Sequence, residues 1–104
     1  MNTNITLNYF TDPGHGWIEV PVDMLKDLGI VNKITTYSYR KGNTAFLEED
    51  CDSALLIQEL TKNNITYTLN QKHTNNDSKI RDYYRYYAWP KSQFMYNVSV
   101  VVIN

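Results

Sequence analysis

Two strand-like segments joined by a tight turn make up residues 5–20, which read ITLNYFTDPGHGWIEV. Apolar and polar side chains alternate before the turn, and this period of two is typical of a half-buried strand. Within the turn, Pro13 presets φ, while Gly14 and Gly16 permit positive φ. A second strand is expected over 17–20. The sequence therefore predicts a β-hairpin, which favours an antiparallel sheet.

Two helices are predicted beyond the hairpin. The first covers about 22–28, begins after Pro21 and ends at Gly29, a residue suited to the left-handed position after a helix. The second carries the apolar run 54–60 and ends at Asn63-Asn64. Both are short, so we expect them to be stabilised by packing on the sheet.

A third helix is predicted before Pro90, with Asp77 or Ser78 as its cap. Side chains spaced at i, i+3, i+4 and i+7 would share one face. That face is formed by Ile80, Tyr83, Tyr84 and Tyr87. The opposite face would carry Arg81, Asp82, Arg85 and Tyr86.

The remaining segments read as strands and set the fold class. The further predicted strands are 34–40, 44–48, 65–72 and 94–103. The resulting order, ββαββαβαβ, indicates a single α+β domain over 1–104, with two or three short helices on a mainly antiparallel sheet of five to six strands. The expected core is Ile5, Leu7, Ile18, Val20, Leu25, Leu28, Tyr37, Phe46, Leu56, Leu60 and Tyr67.

Composition excludes several classes of protein. The 104 residues carry 10 basic and 11 acidic side chains, a net charge of −1, which argues against a broadly basic nucleic-acid binder. The single Cys51 cannot form an internal disulfide. The longest apolar run, 100–103, is far too short to span a membrane, and the N-terminus lacks a signal-peptide pattern. We expect a cytoplasmic protein with no membrane association and no cofactor.

His15 is the first candidate for chemistry. A histidine between two glycines is sterically open and could act as a base, oriented by Asp12 or Glu19. If the fold also brought His73 close, the two histidines and nearby carboxylates would suit metal-assisted hydrolysis. The alternative is a hairpin turn whose imidazole caps backbone groups. One such histidine specifies no reaction, so we assign no catalytic residue.

The acidic stretch Glu48-Glu49-Asp50-Cys51-Asp52 is the second candidate. Glu48 and Asp50 could bind a divalent cation, although the spacing lacks the features of a calcium loop. Capping of the following helix explains the same carboxylates, so we assign no metal site. Acidic neighbours should raise the pKa of Cys51, which we expect to be a buried or half-buried structural thiol.

A segment rich in arginine and aromatic residues is the candidate binding surface. Such side chains can stack on bases and contact phosphates, and they are also typical anchors of protein interfaces. A solvated helix face is the third interpretation of the same residues. The candidates are Arg81, Arg85, Tyr86, Trp89 and Lys91, together with Trp17 from the hairpin.

Four motifs in this order resemble a family of small uncharacterised proteins encoded by bacteriophages, plasmids and other mobile elements. The motifs are Asp12-Pro13-Gly14-His15-Gly16-Trp17, Leu28-Gly29-Ile30, Tyr37-Ser38-Tyr39 and Phe46-Leu47-Glu48-Glu49-Asp50-Cys51-Asp52. A later histidine and an Ile-Arg-x-Tyr segment complete the family pattern. His73 and Ile80-Arg81-Asp82-Tyr83 match them.

The resemblance covers about residues 9–87 and implies an accessory role, including interference with host defence. It does not extend to the tail, 88–104. With no complete catalytic constellation in view, the leading hypothesis is a non-catalytic module that binds a host protein in the bacterial cytoplasm. A nucleic-acid-binding protein that uses 81–91 and a small hydrolase or metal-dependent enzyme built on His15 are the alternatives.

Overall fold

The hairpin forms as predicted at the start of the chain. In the computed structural model, which describes residues 3–88, β1 runs from Thr3 to Thr11 and β2 from Gly16 to Pro21. The two strands are antiparallel, with Tyr9 opposite Ile18. The turn is closed by the Asp12 amide, which donates to the His15 carbonyl at 2.9 Å.

Within the described residues, seven further elements follow the hairpin. They are α1 (Val22–Asp27), β3 (Tyr39–Lys41), β4 (Thr44–Glu48), α2 (Asp52–Lys62), β5 (Ile65–His73), a 3-10 helix (Lys79–Asp82) and β6 (Tyr84–Arg85). Both predicted helix ends are confirmed. Gly29 follows α1 at φ 75°, and Asn64 follows α2 at φ 59°, each in the left-handed region that terminates a helix.

One six-stranded mixed sheet has the order β5-β1-β2-β4-β3-β6. β1 and β5 are parallel and stay in register over nine residue pairs, from Thr3–Ile65 to Thr11–His73. The other neighbours in this sheet are antiparallel. The predicted α+β class and the mainly antiparallel sheet are therefore confirmed.

The two faces of the sheet are buried in different ways, because successive side chains along a strand point to opposite sides. One face packs against both helices and forms the larger core, which includes Ile18, Val20, Leu25, Leu47 and Leu56. The other face carries a smaller hydrophobic cluster, in which the aromatic residues Trp17, Tyr39 and Phe46 pack with Ile80. Ile80 belongs to the 3-10 helix, so that helix covers the second face.

The strand predicted over 34–40 is wrong for most of its length. Residues 34–38 are irregular, with a turn at 36–37, and β3 begins only at Tyr39. The carboxylate of Asp52 accepts hydrogen bonds from the Thr35 amide and hydroxyl and from the Ser38 hydroxyl, which bends the chain around it. Tyr37 was expected in the core, but it lies on this bend and is 68% exposed.

The prediction of the third helix is also wrong beyond the first turn of that helix. Ser78 caps it as predicted, since its hydroxyl accepts from the Ile80 amide at 3.2 Å. The helix stops after one 3-10 turn, and 84–85 pair with β3 as an edge strand. Aromatic side chains favour strands, and the open edge of β3 offered backbone partners.

The exposure of the tyrosines around β6 follows from this strand. Tyr86 was expected on an outward helix face and is instead buried, with its hydroxyl donating to the Val31 carbonyl at 2.6 Å. Tyr84 and Tyr87, expected to share a helix face with Ile80, are exposed. The predicted strand 94–103 and the candidates Trp89 and Lys91 lie outside the described residues.

Candidate functional site

A cleft of about 490 Å³ opens on the sheet face opposite the helices. It lies between the hairpin turn, the end of β4, the bend before β3, and the segment 81–85. The cleft is lined by His15, Trp17, Tyr37, Tyr39, Glu48, Asp50, Cys51, Arg81 and Arg85. Three of the four motifs quoted above, and the later Ile-Arg-x-Tyr segment, each contribute a residue to it.

The turn before the cleft is built around the side chain of Asp12. Its carboxylate is fully buried and accepts hydrogen bonds from the amides of Gly14 at 3.0 Å and His15 at 2.9 Å. The amide of Ser78, 66 positions further along the chain, donates to it at 2.9 Å. Asp12 therefore holds the turn in shape and is not free to orient the His15 imidazole.

Arg81 completes the environment of Asp12. Its Nε donates to Oδ2 at 2.7 Å and its Nη2 to Oδ1 at 2.9 Å, so the pair is bidentate. These bonds hold the pKa of Asp12 well below its usual range, and they raise the pKa of Arg81. The guanidinium also lies 5.4 Å from the centroid of the Trp17 ring. The guanidinium of Arg81 is thus already bound to groups of the protein itself.

The two glycines of the turn are needed for space rather than for positive φ, in contrast to the prediction. A Cβ on Gly14 would lie 2.9 Å from the guanidinium of Arg81. A Cβ on Gly16 would lie 2.7 Å from both the Glu49 carboxylate and the Tyr9 hydroxyl. Both positions allow a side chain from elsewhere in the chain to approach the backbone closely.

The imidazole of His15 faces Glu48 across the cleft. Nδ1 lies 3.6 Å from Oε1 of Glu48, and the imidazole ring is tilted against Trp17 with centroids 6.1 Å apart. The other carboxylate oxygen of Glu48 accepts from the Asp50 amide at 2.7 Å. Glu48, rather than Asp12 or Glu19, is therefore the carboxylate beside His15.

The remaining residues of the acidic stretch point to separate tasks. Glu49 accepts a hydrogen bond from the Tyr9 hydroxyl, and Asp52 binds the bend at 35–38. Asp52 lies in the first turn of α2, but no side chain caps that helix at Cys51, so the predicted side-chain capping is wrong. These carboxylates point in different directions because they lie on different elements: Glu48 ends β4, and Asp52 begins α2.

Cys51 is exposed, which corrects the expectation of a buried structural thiol. Its pKa is raised, as predicted, first by desolvation and then by the charge of Asp52. Its Sγ lies 3.7 Å from Oδ1 of that carboxylate. A protonated thiol is a poor nucleophile, so the position of Cys51 at the cleft does not make it reactive.

Arg85 and two tyrosines form the outer part of the cleft. The guanidinium of Arg85 lies 4.6 Å from the centroid of the Tyr39 ring, a cation–π contact. Tyr37 lines the same cleft and is largely exposed. Sequence reasoning placed both tyrosines in the core or on a strand and missed them as site residues. The available signal was the Tyr-Ser-Tyr motif of the resemblance.

The fold brings six of the candidate residues to this cleft: His15, Trp17, Glu48, Asp50, Arg81 and Arg85. Trp17 is buried, and its Nε1 has no acceptor among the described residues. His73 lies elsewhere, where its ring nitrogens contact the Thr11 hydroxyl at 2.8 Å and the Asn75 side chain at 3.1 Å. A two-histidine site is therefore not formed.

Within residues 3–88, no group of three or more histidine, cysteine, aspartate or glutamate side chains is arranged to hold a metal ion. In the same range, no helix is long and apolar enough to cross a membrane. Comparisons of the chain with protein-family models, with curated proteins and with solved structures gave no match.

Proposed function

We propose that the chain is a non-catalytic protein-binding module that engages its partner through the mouth of this cleft. The observation that carries the proposal is the exposure of Tyr37 beside Arg85. A large aromatic ring exposed at the rim of a cleft retains apolar surface that a partner can bury. Tyrosine and arginine are also the residue types that most often anchor protein interfaces.

The charges of the cleft favour a protein partner. Glu48 and Asp50 are acidic, and Arg85 supplies a cation at the rim, while the charge of Arg81 is balanced by Asp12. A protein surface can present both positive and negative groups at positions that match these charges of the cleft. Such complementary charges set the orientation of a partner and exclude others.

The resemblance to phage and plasmid proteins sets the biological context of the proposal. A small accessory protein of a mobile element acts on molecules of its host. We therefore extend the proposal to a host protein as the partner, in the bacterial cytoplasm, with inhibition of a defence system as the role. This extension depends on the resemblance alone.

Nucleic-acid binding through 81–91 is less well supported. Arg81 is bound to Asp12, and Tyr86 is buried, so two of the expected contacts are occupied within the protein. Glu48 and Asp50 in the same cleft would repel phosphates. Binding of oligonucleotides at low salt, with an affinity that falls steeply as salt is added, would favour this alternative instead.

A hydrolase built on His15 is the second candidate function, because Glu48 lies against Nδ1 and could orient the ring. A histidine held by a carboxylate can act as a general base on a water molecule. The test is hydrolysis of p-nitrophenyl acetate and bis(p-nitrophenyl) phosphate by the purified protein. Activity lost in His15→Gln and retained in His73→Gln would support the enzyme over the binding module.

Affinity capture from a bacterial lysate tests the main proposal. Tagged wild-type protein should retain a specific protein, and Tyr37→Ser or Arg85→Ala should each reduce its recovery by about tenfold or more. Tyr84→Ser and Lys33→Ala are matched controls, since both remove exposed side chains that do not line the cleft. Recovery of no specific protein, or equal recovery by all variants, would contradict the proposal.

A further inference from the structure

We propose that β5 is a self-association edge, along which two copies of this chain pair antiparallel and join their sheets into one. β5 lies at the end of the strand order and pairs on one side with β1. Among residues 3–88, no strand pairs with its other side. The backbone groups on that side are therefore available to a further strand.

The edge is long and lacks the features that usually protect one. β5 contains nine residues, whereas β6, at the opposite edge of the sheet, contains two. Its register with β1 is unbroken, so no bulge twists it away, and it contains no proline. Lys72 is its single lysine and lies next to the end of the strand. An edge of this kind readily accepts another strand.

The exposure of β5 agrees with an unoccupied position at the edge. Residues 68–73 are exposed on both faces of the sheet, and only Ile65 and Tyr67 pack against the main core. Leu69, in the middle of the strand, is among the few large apolar side chains that remain exposed. A second strand beside β5 would cover it.

The sequence of β5 is complementary to itself when two copies run in opposite directions. A two-fold axis at Leu69, the central residue, pairs Ile65–His73, Thr66–Lys72, Tyr67–Gln71 and Thr68–Asn70 across the interface, with Leu69 opposite its own copy. No like charges face each other in this register. An in-register parallel arrangement would instead place Lys72 opposite Lys72, which is unfavourable. The antiparallel pairing also closes after two copies.

The interface lies away from the cleft. The cleft is formed by β2, β3, β4 and the segment 81–85, whereas β5 lies at the far edge beyond β1. Pairing through β5 therefore leaves both clefts of the dimer open. Dimer formation through β5 therefore does not depend on the proposed binding function of the cleft.

Sedimentation velocity of the full chain over a concentration series provides the test. Wild-type protein should show a monomer–dimer equilibrium. Leu69→Lys places two lysines at the two-fold axis and removes the leucine pair, so it should raise the dimer dissociation constant by about tenfold or more. Tyr84→Lys makes the same kind of change on β6, at the other edge, and should leave the constant unchanged.

A second variant tests the register by strengthening the dimer. Thr66→Glu places a carboxylate opposite Lys72 of the second copy, twice per dimer. It should lower the dissociation constant at low salt, and added salt should weaken this gain. Hydrogen exchange of the amides in 65–73 should slow as the dimer forms, and Leu69→Lys should remove that protection.

Three results would overturn the inference. The first is a monomer at every concentration for both wild type and Thr66→Glu. The second is a dimer that Tyr84→Lys weakens and Leu69→Lys does not. The third is protection of the outer amides of β5 in a monomer, which would mean that another part of the same chain occupies the edge.

Discussion

Arg81 and Asp12 join the first turn of the chain to the last helical turn of the described region through two hydrogen bonds of 2.7 and 2.9 Å. The two residues are 69 positions apart in sequence. The same carboxylate also fixes the amides of Gly14, His15 and Ser78. This pair therefore holds two walls of the cleft together, and its loss should affect both stability and the shape of the cleft.

Asp12→Ala should destabilise the fold strongly. The change leaves the amides of Gly14, His15 and Ser78 without their acceptor and Arg81 without its counter-charge, and the loss of hydrogen bonds to a charged group typically costs about 2 kcal/mol or more. Urea denaturation followed by circular dichroism measures the loss. Asp27→Ala, which removes an exposed carboxylate from α1, should change the free energy of unfolding by less than about 0.5 kcal/mol. Equal effects of the two variants would contradict the role assigned to Asp12.

Acid should destabilise the protein through the same pair. The folded-state pKa of Asp12 is depressed by Arg81 and the three amides, so its contribution to stability is fully present above the ordinary carboxyl pKa of about 4. The contribution is lost as pH falls further, because the unfolded state takes up the proton first. The free energy of unfolding of wild type should therefore fall more steeply below about pH 4 than that of Asp12→Asn.

Tyr9 should titrate late. Its hydrogen bond to Glu49 is the main cause that raises its pKa to about 12, followed by burial. Since the folded pKa is raised, the stabilising contribution is present below about pH 10 and is lost as pH rises toward 12. A difference titration of tyrosinate absorbance between wild type and Tyr9→Phe isolates this group among the nine tyrosines.

Glu49→Gln is the matched test of that cause. It keeps the shape of the side chain but removes the negative charge that disfavours the tyrosinate. The pKa of Tyr9 should move back toward about 10 in this variant. Glu19→Gln, a change at a carboxylate that binds Asn8 instead, should leave the titration of Tyr9 unchanged.

Asp52→Ala should release the bend before β3. The carboxylate accepts from Thr35 and Ser38, and Ser38 in turn accepts from the Glu48 amide at 2.9 Å. Loss of about 2 kcal/mol in the free energy of unfolding is expected for a buried carboxylate with several partners. Faster hydrogen exchange in 35–39 should accompany it. Asp50→Ala, an exposed neighbour, should leave both measurements near wild type.

The elements that sequence reasoning predicted correctly are those with local signals. The hairpin follows from alternation at Ile5, Leu7 and Tyr9, and the end of α1 follows from Gly29. These signals act over a few residues, so the sequence shows them directly. Both the α+β class and the helix-covered face of the sheet could be deduced from them.

The two errors in secondary structure have long-range causes. The bend at 34–38 is held by Asp52, which lies 17 positions after Thr35. Residues 84–85 form a strand because they pair with β3, which lies far from them in sequence. Neither contact can be recognised from the neighbouring sequence. The alternation around Tyr37 and Tyr39, for example, is also what a strand would show. The helical spacing of Ile80, Tyr83, Tyr84 and Tyr87 was real, but pairing with a strand edge prevailed over it.

The candidate site was predicted in its parts but not in its geometry. His15, Glu48, Asp50, Arg81 and Arg85 were singled out by residue type, and the fold brings them to one cleft. The partners were wrong, because Asp12 binds Arg81 and Glu48 takes the place beside His15. Spacing in sequence does not determine which carboxylate faces which cation when each lies on a different strand.

The two strands that flank β1 become available for pairing at different times while the chain is synthesised on the ribosome. β2 follows after a short turn and can fold back at once, whereas β5 pairs residues such as Asn8 and Asn70, 62 positions apart. Loop closure over that distance is slow, so the nascent protein exposes one flank of β1 until β5 has been synthesised. During this interval the unpaired flank of β1 is open to misassociation with other chains, and a chaperone that shields it would act at this stage.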